Sequence, residues 1–261
     1  MGSPIAKIFI VAGVIIAVVL IAKWFVLPRL LRAWLGVKPS AEPKNWQERV
    51  ELRYQNLHTS VWMFAWFKLR LDPMFRELPE LMKGMTNLRT VLDLGCGYGV
   101  AGSALLEWHP ELKVYGIDPN PQRVRMVSLA FGDRGQAFQG GAPDFEIPSL
   151  PSKFDAVFVL DVIHFLSDAQ LDLTLRRIRA RMNEGGFLIL RAPILPSGAG
   201  SFMWNLDKFK RKITGAFACY RTADQISDAI GQAGFTILRS QISGTPRHEL
   251  HWFIATVPSE K

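Results

Sequence analysis

The chain has 261 residues, 49% of them hydrophobic, with a formal charge of +8 and a pI near 9.7. Once an apolar N-terminal stretch is set aside, this length suits one α/β domain rather than two. Two cysteines, Cys96 and Cys219, exclude a disulfide framework, and neither has a partner at metal-ligand spacing, so no metal site is expected. The basic balance fits nucleic acid, an anionic membrane surface or an acidic substrate, and by itself selects none of them.

In chain order, the first feature is IFIVAGVIIAVVLIA, residues 8–22, which carries no charge and continues after Lys23 as WFVL. A helix needs about 20 mainly apolar residues to cross a bilayer. Residues 5–27 reach that length if Lys7 and Lys23 snorkel toward head groups, with Trp24 at the interface. A cleaved signal peptide is the competing reading, but no small-x-small site with a polar mature start follows. Myristoylation fails because Ala6 stands where Ser or Thr is required. Only Lys7 precedes the span, whereas Lys23, Arg29, Arg32, Lys38 and Lys44 follow it against Glu42, which places the rest of the chain in the cytoplasm.

Pro28 opens PRLLRAWLG, where Leu30, Leu31, Trp34 and Leu35 share one helical face, Arg29 and Arg32 the other, and Gly36 ends it. This reads as a short helix in the membrane interface; a helix packed on the domain is the alternative. VKPSAEPKN is a linker. Residues 46–83 follow a helical pattern broken at Asp72-Pro73, dense in aromatics, and either pack on the core or cover a cleft. The expected organisation is an anchor over 1–27, an interfacial helix and linker over 28–45, a helical cap over 46–87 and the main domain over 88–261.

Alternation begins at RTVLDL, a strand, followed by the helix VAGSALLEWH. LKVYGI, QAFQG, FDAVFVL and GFLILR are further strands, separated by the helices PQRVRMVSLAF and DAQLDLTLRRIRARM, the last opened by a Ser167–Gln170 capping box and ended before Gly185-Gly186. After a longer insert come the helix ADQISDAIGQAG and the strands FTILRSQI and LHWFIATV, close enough in sequence to pair antiparallel. Apolar strands alternating with helices predict a doubly wound, Rossmann-like α/β fold: a mostly parallel seven-stranded sheet with an antiparallel C-terminal pair.

Within VLDLGCGYGV, Gly95, Gly97 and Gly99 give up side chains between a strand and a helix, at a cost in conformational entropy. Such a loop at the carboxyl edge of a parallel sheet is a ligand site. A phosphate-binding P-loop requires Gly-Lys-Ser/Thr, which is absent, and a dinucleotide fingerprint requires glycine where Val100 stands.

VLDLGCGYG resembles the first motif of class I S-adenosylmethionine-dependent methyltransferases, VYGIDPN the second, FQGGAPDFEIP the third-strand loop and FDAVFVLDVIHFL the fourth strand and its exit, over about residues 88–258. The resemblance implies S-adenosylmethionine as cofactor, its methionine part along Gly95, Cys96, Gly97 and Gly99, with Asp93 near its amino group. It implies Asp118 as acceptor of both ribose hydroxyls, with Pro119 and Asn120 flanking the adenine. Gly141 stands where many relatives carry an acid toward the adenine amino group, leaving the backbone beside Ala142, or Asp144, as substitutes. KLRLDPMF, LDVIHFL and SGTPRHELHWFIA are also similar to methyltransferases of aryl-polyene-type clusters.

Methyl transfer from a sulfonium is an in-line displacement that needs orientation and exclusion of water, with a base only where the nucleophile starts with a high-pKa proton. His164 is the base candidate, with a backbone-bonded or packed histidine as the alternative. Asp161 either orients His164, faces the sulfonium or is a structural turn acid. Tyr54 and His58, on the leading helices, are further candidates. Arg191 meets an anionic substrate group or pairs within the fold. The insert SFMWNLDKFKRKITGAF mixes bulky apolar groups with lysines, as an anionic lipid interface would require, or is an ordinary basic face. The basic face of Arg176, Arg177, Arg179 and Arg181 is expected to be solvated. No nucleic-acid recognition motif occurs. The sequence therefore predicts a single-span, cytoplasm-facing methyltransferase for an amphiphilic small molecule — a lipid, a quinone-like or polyene ring, or a carrier-bound acyl chain — with a soluble substrate and tethered biosynthetic partner enzymes, or a non-catalytic cofactor-binding scaffold, as alternatives.

Overall fold

The structure, a computed structural model, describes residues 26–38, 42–195, 217–244 and 249–258. The expected membrane span lies outside the described residues except for its last two positions, as does the insert over 196–216. Among the described residues no helix is long and apolar enough to cross a membrane. The chain divides into two compact units, Met1–Leu69 and Arg70–Lys261.

The first unit contains α1 (Leu27–Trp34), α2 (Trp46–Tyr54) and most of α3 (Thr59–Leu71). Proline near the start of α1 presets the helical φ. No residue of α1 is buried, and Leu27, Leu30 and Trp34 are 57%, 62% and 82% exposed. Leu31 and Arg32 are half-buried, and the Arg32 guanidinium lies 4.5 Å from the ring centroid of Trp62 in α3. Asn45 caps α2 by accepting the Glu48 N–H at 2.9 Å, while Glu48 accepts the Lys44 N–H at 2.8 Å. The expected continuous pattern is interrupted after Tyr54, and His58 opens α3: its carbonyl accepts the N–H groups of Val61 and Trp62.

The second unit starts with α4 (Met74–Leu81), opened by Asp72, whose Oδ1 accepts the Met74 N–H at 3.0 Å. Then follow β1 (Thr90–Leu94), α5 (Val100–Trp108), β2 (Lys113–Asp118), α6 (Pro121–Phe131), β3 (Gly135–Gln139), β4 (Phe154–Leu160), α7 (Asp168–Ala180), β5 (Met182–Pro193), α8 (Ala223–Gln232), β6 (Thr236–Ser243) and β7 (Leu250–Thr256). The seven strands lie in the order β3-β2-β1-β4-β5-β7-β6. β7 runs antiparallel to both β5 and β6, and the other pairings are parallel.

Right-handed crossovers run outward from β1 to β3 in one direction and from β4 to β5 in the other, so the helices fall on opposite faces. On one face Leu171, Leu175 and Ile178 of α7 and Ile226 and Ile230 of α8 join Val157, Val159, Leu188 and Leu190 in a single core. On the other, Phe131 of α6 lies so close to α5 that a Cβ on Gly102 would stand 2.6 Å from its Cζ. α7 ends at Ala180, and β5 starts earlier than its apolar run because Met182 already pairs with Phe154 before the ladder shifts register. The chain order reverses between β1 and β4, which opens a crevice at their carboxyl ends.

Candidate active site

The three loop glycines answer to different constraints. Gly95, at φ +80°, packs against β4's exit: a Cβ there would stand 2.3 Å from Cγ2 of Val162. Gly99, at φ +71°, starts α5, and a Cβ would meet Val127 at 2.8 Å. Gly97, at φ +59°, has no atom within 4 Å of a Cβ position, so its main chain borders open space. Of the three, only Gly97 has no neighbouring side chain that excludes a Cβ, and its left-handed φ is what favours glycine there.

Asp118 closes β2 and is 3% exposed. Its Oδ2 accepts the Gly97 N–H at 3.0 Å and its Oδ1 the Asn120 N–H at 2.9 Å. Arg123 lies 3.5 Å from Oδ2, with its guanidinium 5.5 Å from the Tyr98 ring centroid. A carboxylate offers about four acceptor positions, so two backbone bonds leave room for a diol on the side Arg123 now covers. Asn120 caps α6, its Oδ1 accepting the N–H groups of Gln122 and Arg123. Pro119 and Gly141 are neighbours: a Cβ on Gly141 would be in ordinary contact with Pro119 at 3.8 Å.

Ala142 packs against the core, and the Asp144 carboxylate is 84% exposed and paired with Arg177. Asp93 is buried in β1, in register with Gly116 of β2. Cys96 does not point into the crevice: its Sγ lies 2.9 Å from where a Gly116 Cβ would be. Burial, with Asp93 and Asp118 nearby, pushes its thiol well above the ordinary range.

At β4's exit, Asp161 holds φ +59°, unusual for a non-glycine residue. Its carboxylate takes the Arg191 guanidinium, with Nε at 3.0 Å, and does not orient His164. Asp72 grips the other side of the same guanidinium at 2.6 and 2.9 Å. Arg191 is 1% exposed and lies 5.4 Å from the Trp252 ring centroid, so it meets no substrate anion. Burial works against its charge, but Asp161 and Asp72 outweigh burial and raise its pKa. Trp252 in turn donates to Glu77 at 2.7 Å, as does Ser243 at 2.6 Å.

His164 occupies a single 3-10 turn, Ile163–Phe165, and is 6% exposed. Its ring lies 4.0 Å from Phe165 and stacks parallel to Tyr220 at 5.9 Å, while its carbonyl accepts the Cys219 N–H at 2.8 Å. Arg221 secures the same junction through Asp168 and the carbonyls of Ile163, Leu166 and Cys219. Ile194 and Arg221 form a bridge that draws the two ends of the insert together beside His164.

Tyr54 and His58 belong to the first unit. Tyr54 is buried, and the Nδ1 of His58 is 2.7 Å from Ser60 Oγ and accepts the Ser60 N–H, the position of a helix cap. The basic face of α7 is not simply solvated: Arg176 pairs with Asp172, Arg177 with Asp144 and Arg181 with Glu146, which fastens the β3–β4 loop. Among the described residues no group of His, Cys, Asp and Glu side chains suits a metal. Sequence reasoning missed Asp72, Glu77 and Arg123, whose partners are set by the fold rather than by local spacing.

A glycine loop locked to an acid at the end of β2, at the switch point of a seven-stranded sheet, is the arrangement that a class I S-adenosylmethionine-dependent methyltransferase domain is expected to show. The family described as "Methyltransferase domain" matches residues 92–188. The chain is similar to the phenazine O-methyltransferase PhzM of Lysobacter antibioticus, 30% identical over 157 residues, which is 58% of this chain and 44% of that one. It therefore spans less than half the length of that curated relative. In fold it is similar to the pyocyanin biosynthetic protein PhzM, with a TM-score of 0.59 at 18% identity over 90% of this chain and 68% of that chain. It is also similar to CalO1, a methyltransferase in calicheamicin biosynthesis in its SAH-bound form, with a TM-score of 0.56 at 20% identity over 80% and 58%. The residues fit the cofactor: bare main chain at Gly97 beside the Asp118 carboxylate is a cradle that a Cβ would fill.

Proposed function

We propose that this protein is a membrane-anchored O-methyltransferase that methylates a hydroxyl group on an amphiphilic small molecule of secondary metabolism, such as a quinone-like ring, a phenazine-like ring or a carrier-bound polyene. The observation that carries the reading is the open main chain at Gly97, hydrogen-bonded to the buried Asp118 carboxylate. The bound cofactor supplies a methyl group on a positively charged sulfur. Asp118 holds the ribose and Gly97 lets the nucleotide lie against the loop. Val162, packed over Gly95, and the buried Ile163 would make that side of the site apolar. His164 takes the acceptor's hydroxyl proton, a task imidazole performs near neutral pH.

Oxygen as acceptor is supported by the likeness to a phenazine O-methyltransferase. Anchoring is supported by the uncharged apolar run over 8–22, directly ahead of α1, whose apolar face is exposed beside Arg29 and Arg32. A cytoplasmic location for the domain is supported by the excess of lysine and arginine after that run. An anchored enzyme meets a bilayer-resident substrate at a raised local concentration.

The test is methyl transfer by the full chain, reconstituted in lipid nanodiscs, to fractionated lipid and pigment extracts. Mass spectrometry should find one organic-phase product heavier by a methylene unit. Transfer only into water-soluble material would refute the amphiphilic substrate, and cofactor binding with no transfer into any fraction would leave a scaffold.

A further inference from the structure

The two sides of α1 have different surroundings. On the side toward α3, Leu31 and Arg32 are half-buried, the Arg32 guanidinium lies 4.5 Å from the Trp62 ring centroid, and its Nε donates to the Val37 carbonyl at 3.2 Å. The other side is apolar and open. Of the fourteen large hydrophobic side chains exposed among the described residues, five lie between Val26 and Leu35, and Trp34 is the most exposed of all. At about 3.6 residues per turn, Val26, Leu30, Trp34 and Leu27 fall within about 100° of arc and form one stripe along the helix. An apolar stripe that its own unit does not bury marks a contact with something else.

The chain around the stripe favours a bilayer as its occupant. Residues 8–22 are apolar and uncharged, and WFVL runs straight into α1, so the stripe begins where the span proposed above ends. Arg29 is exposed next to the stripe's edge, and no acid occurs between Lys23 and Glu42, a stretch that holds Arg29, Arg32 and Lys38. That charge suits anionic head groups, and a tryptophan on an apolar stripe suits the boundary between head groups and acyl chains. A second copy of the chain fits less well. Four side chains on a helix of eight residues, about 12 Å long, offer far less than the roughly 800 Å² per partner that a stable protein interface buries.

We propose that the stripe of Val26, Leu27, Leu30 and Trp34 on α1 is a docking surface for an anionic phospholipid bilayer, entered to the depth of the head-group boundary. The inference deepens the anchoring proposed for this protein and rests on it. The span tethers the chain, and α1 lies along the surface. Because Arg32 holds the opposite side of α1 on α3, docking of the stripe fixes how the first unit meets the membrane. A short apolar stripe binds a bilayer only marginally when free. The tether removes that limit by keeping the stripe at a high effective concentration beside the lipid. Docking of α1 therefore depends on lipid charge, whereas the tether does not.

The test places a thiol-linked, polarity-sensitive fluorophore at Leu30→Cys in the full chain, held in nanodiscs of phosphatidylcholine and phosphatidylserine. The unsubstituted chain, labelled in parallel, supplies the background from Cys96 and Cys219. Leu27→Cys carries the same label if Leu30→Cys does not fold. Emission should shift to the blue and be quenched by lipid bearing a nitroxide at its head group. Adding Arg29→Gln should move the ratio of docked to undocked helix about fivefold toward undocked, the effect of one basic side chain near an anionic surface. Docking that is equal without phosphatidylserine would overturn the anionic preference. Emission that stays at its aqueous position while the chain remains in the disc would overturn the inference and leave the anchor standing. A label shielded from water but not quenched by lipid, with cross-linking between two copies in one disc, would overturn it in favour of a dimer contact. A chain that does not enter the discs would overturn the anchoring and this inference with it.

Discussion

Gly97 donates its main-chain N–H to Oδ2 of Asp118 at 3.0 Å, joining the centre of the glycine loop to the end of the second strand. The loop and the acid are thus one unit before any nucleotide arrives. Asp118→Ala removes the ribose acceptor and releases the loop together. Hydrogen bonds to a charged group contribute about 1.5–3 kcal/mol, so affinity for S-adenosylmethionine should fall at least tenfold by calorimetry. Unchanged affinity would remove Asp118 from the ribose site.

Arg123 covers the same carboxylate from the solvent side and is itself 43% exposed. The diol and the guanidinium compete for one oxygen. An exposed ion pair is worth about 0–1 kcal/mol, so Arg123→Ala should tighten cofactor binding by up to about fivefold. Weaker binding in this variant would mean that Arg123 helps hold the nucleotide instead.

Gly95 and Gly97 separate packing from binding. A Cβ on Gly95 would collide with Val162, a partly buried side chain of the core, at 2.3 Å. Gly95→Ala should lower the melting temperature sharply and yield little folded protein. At Gly97 a methyl group meets nothing, and the cost is only the left-handed backbone, about 1–2 kcal/mol. Gly97→Ala should fold and lose most of its cofactor affinity. A Gly97→Ala chain that binds normally would show that no ligand lies along that main chain.

The sheet and its glycine loop were legible because their signals are local: apolar runs of strand length, left-handed glycines, and the Ser167–Gln170 capping box, in which Gln170 N–H reaches Ser167 Oγ at 3.3 Å and Ser167 N–H reaches Gln170 Oε1 at 2.9 Å. Asp118 was legible for the same reason, as an acid closing an apolar strand. Asp72 was not. It reads as a helix break ahead of Pro73, and its partner Arg191 lies 119 positions away, brought near only by the completed fold. His58 is not decided by its sequence position, since a histidine at a helix start looks the same whether it caps the helix or serves a site. Arg177 and Arg181 looked like part of a solvated face because their acids sit in the β3–β4 loop, outside the helical period.

Glu77 gives the second unit a defined acid response. Burial pushes its carboxyl up, but hydrogen bonds from Ser243, Trp252 and Gly244, with Arg191 nearby, outweigh burial and hold its pKa below the ordinary value. A group with a depressed folded-state pKa stabilises fully above its unfolded pKa, and that stabilisation is lost as pH falls through the folded value. Asp155 acts in the same sense: burial raises it, and the N–H groups of Arg89 and Thr90 with the Asn183 side chain bring it lower. Glu77→Gln should therefore cost about 1 kcal/mol at neutral pH, discounted for its partial exposure, or about 3 °C in melting temperature. The gap to wild type should close on acidification, and a gap that stays constant below the carboxylate range would refute the assignment.

His164 tests the chemistry apart from the cofactor. Its ring is 6% exposed and parallel to Tyr220, with Phe165 beside it. As the base for a hydroxyl acceptor it contributes a factor of about 10²–10⁴. His164→Ala should slow methyl transfer by that order while leaving S-adenosylmethionine affinity within about twofold, because Asp118 and Gly97 are untouched. Tyr220→Ala opens the ring's stacked face without removing the imidazole, so transfer should persist with an altered KM. If His164→Ala and Tyr220→Ala both lose affinity and melting temperature in step, the histidine is a packing residue of the insert's junction. The proton would then leave the acceptor by another route, since a displaced junction lowers binding and turnover together whereas a missing base lowers turnover alone.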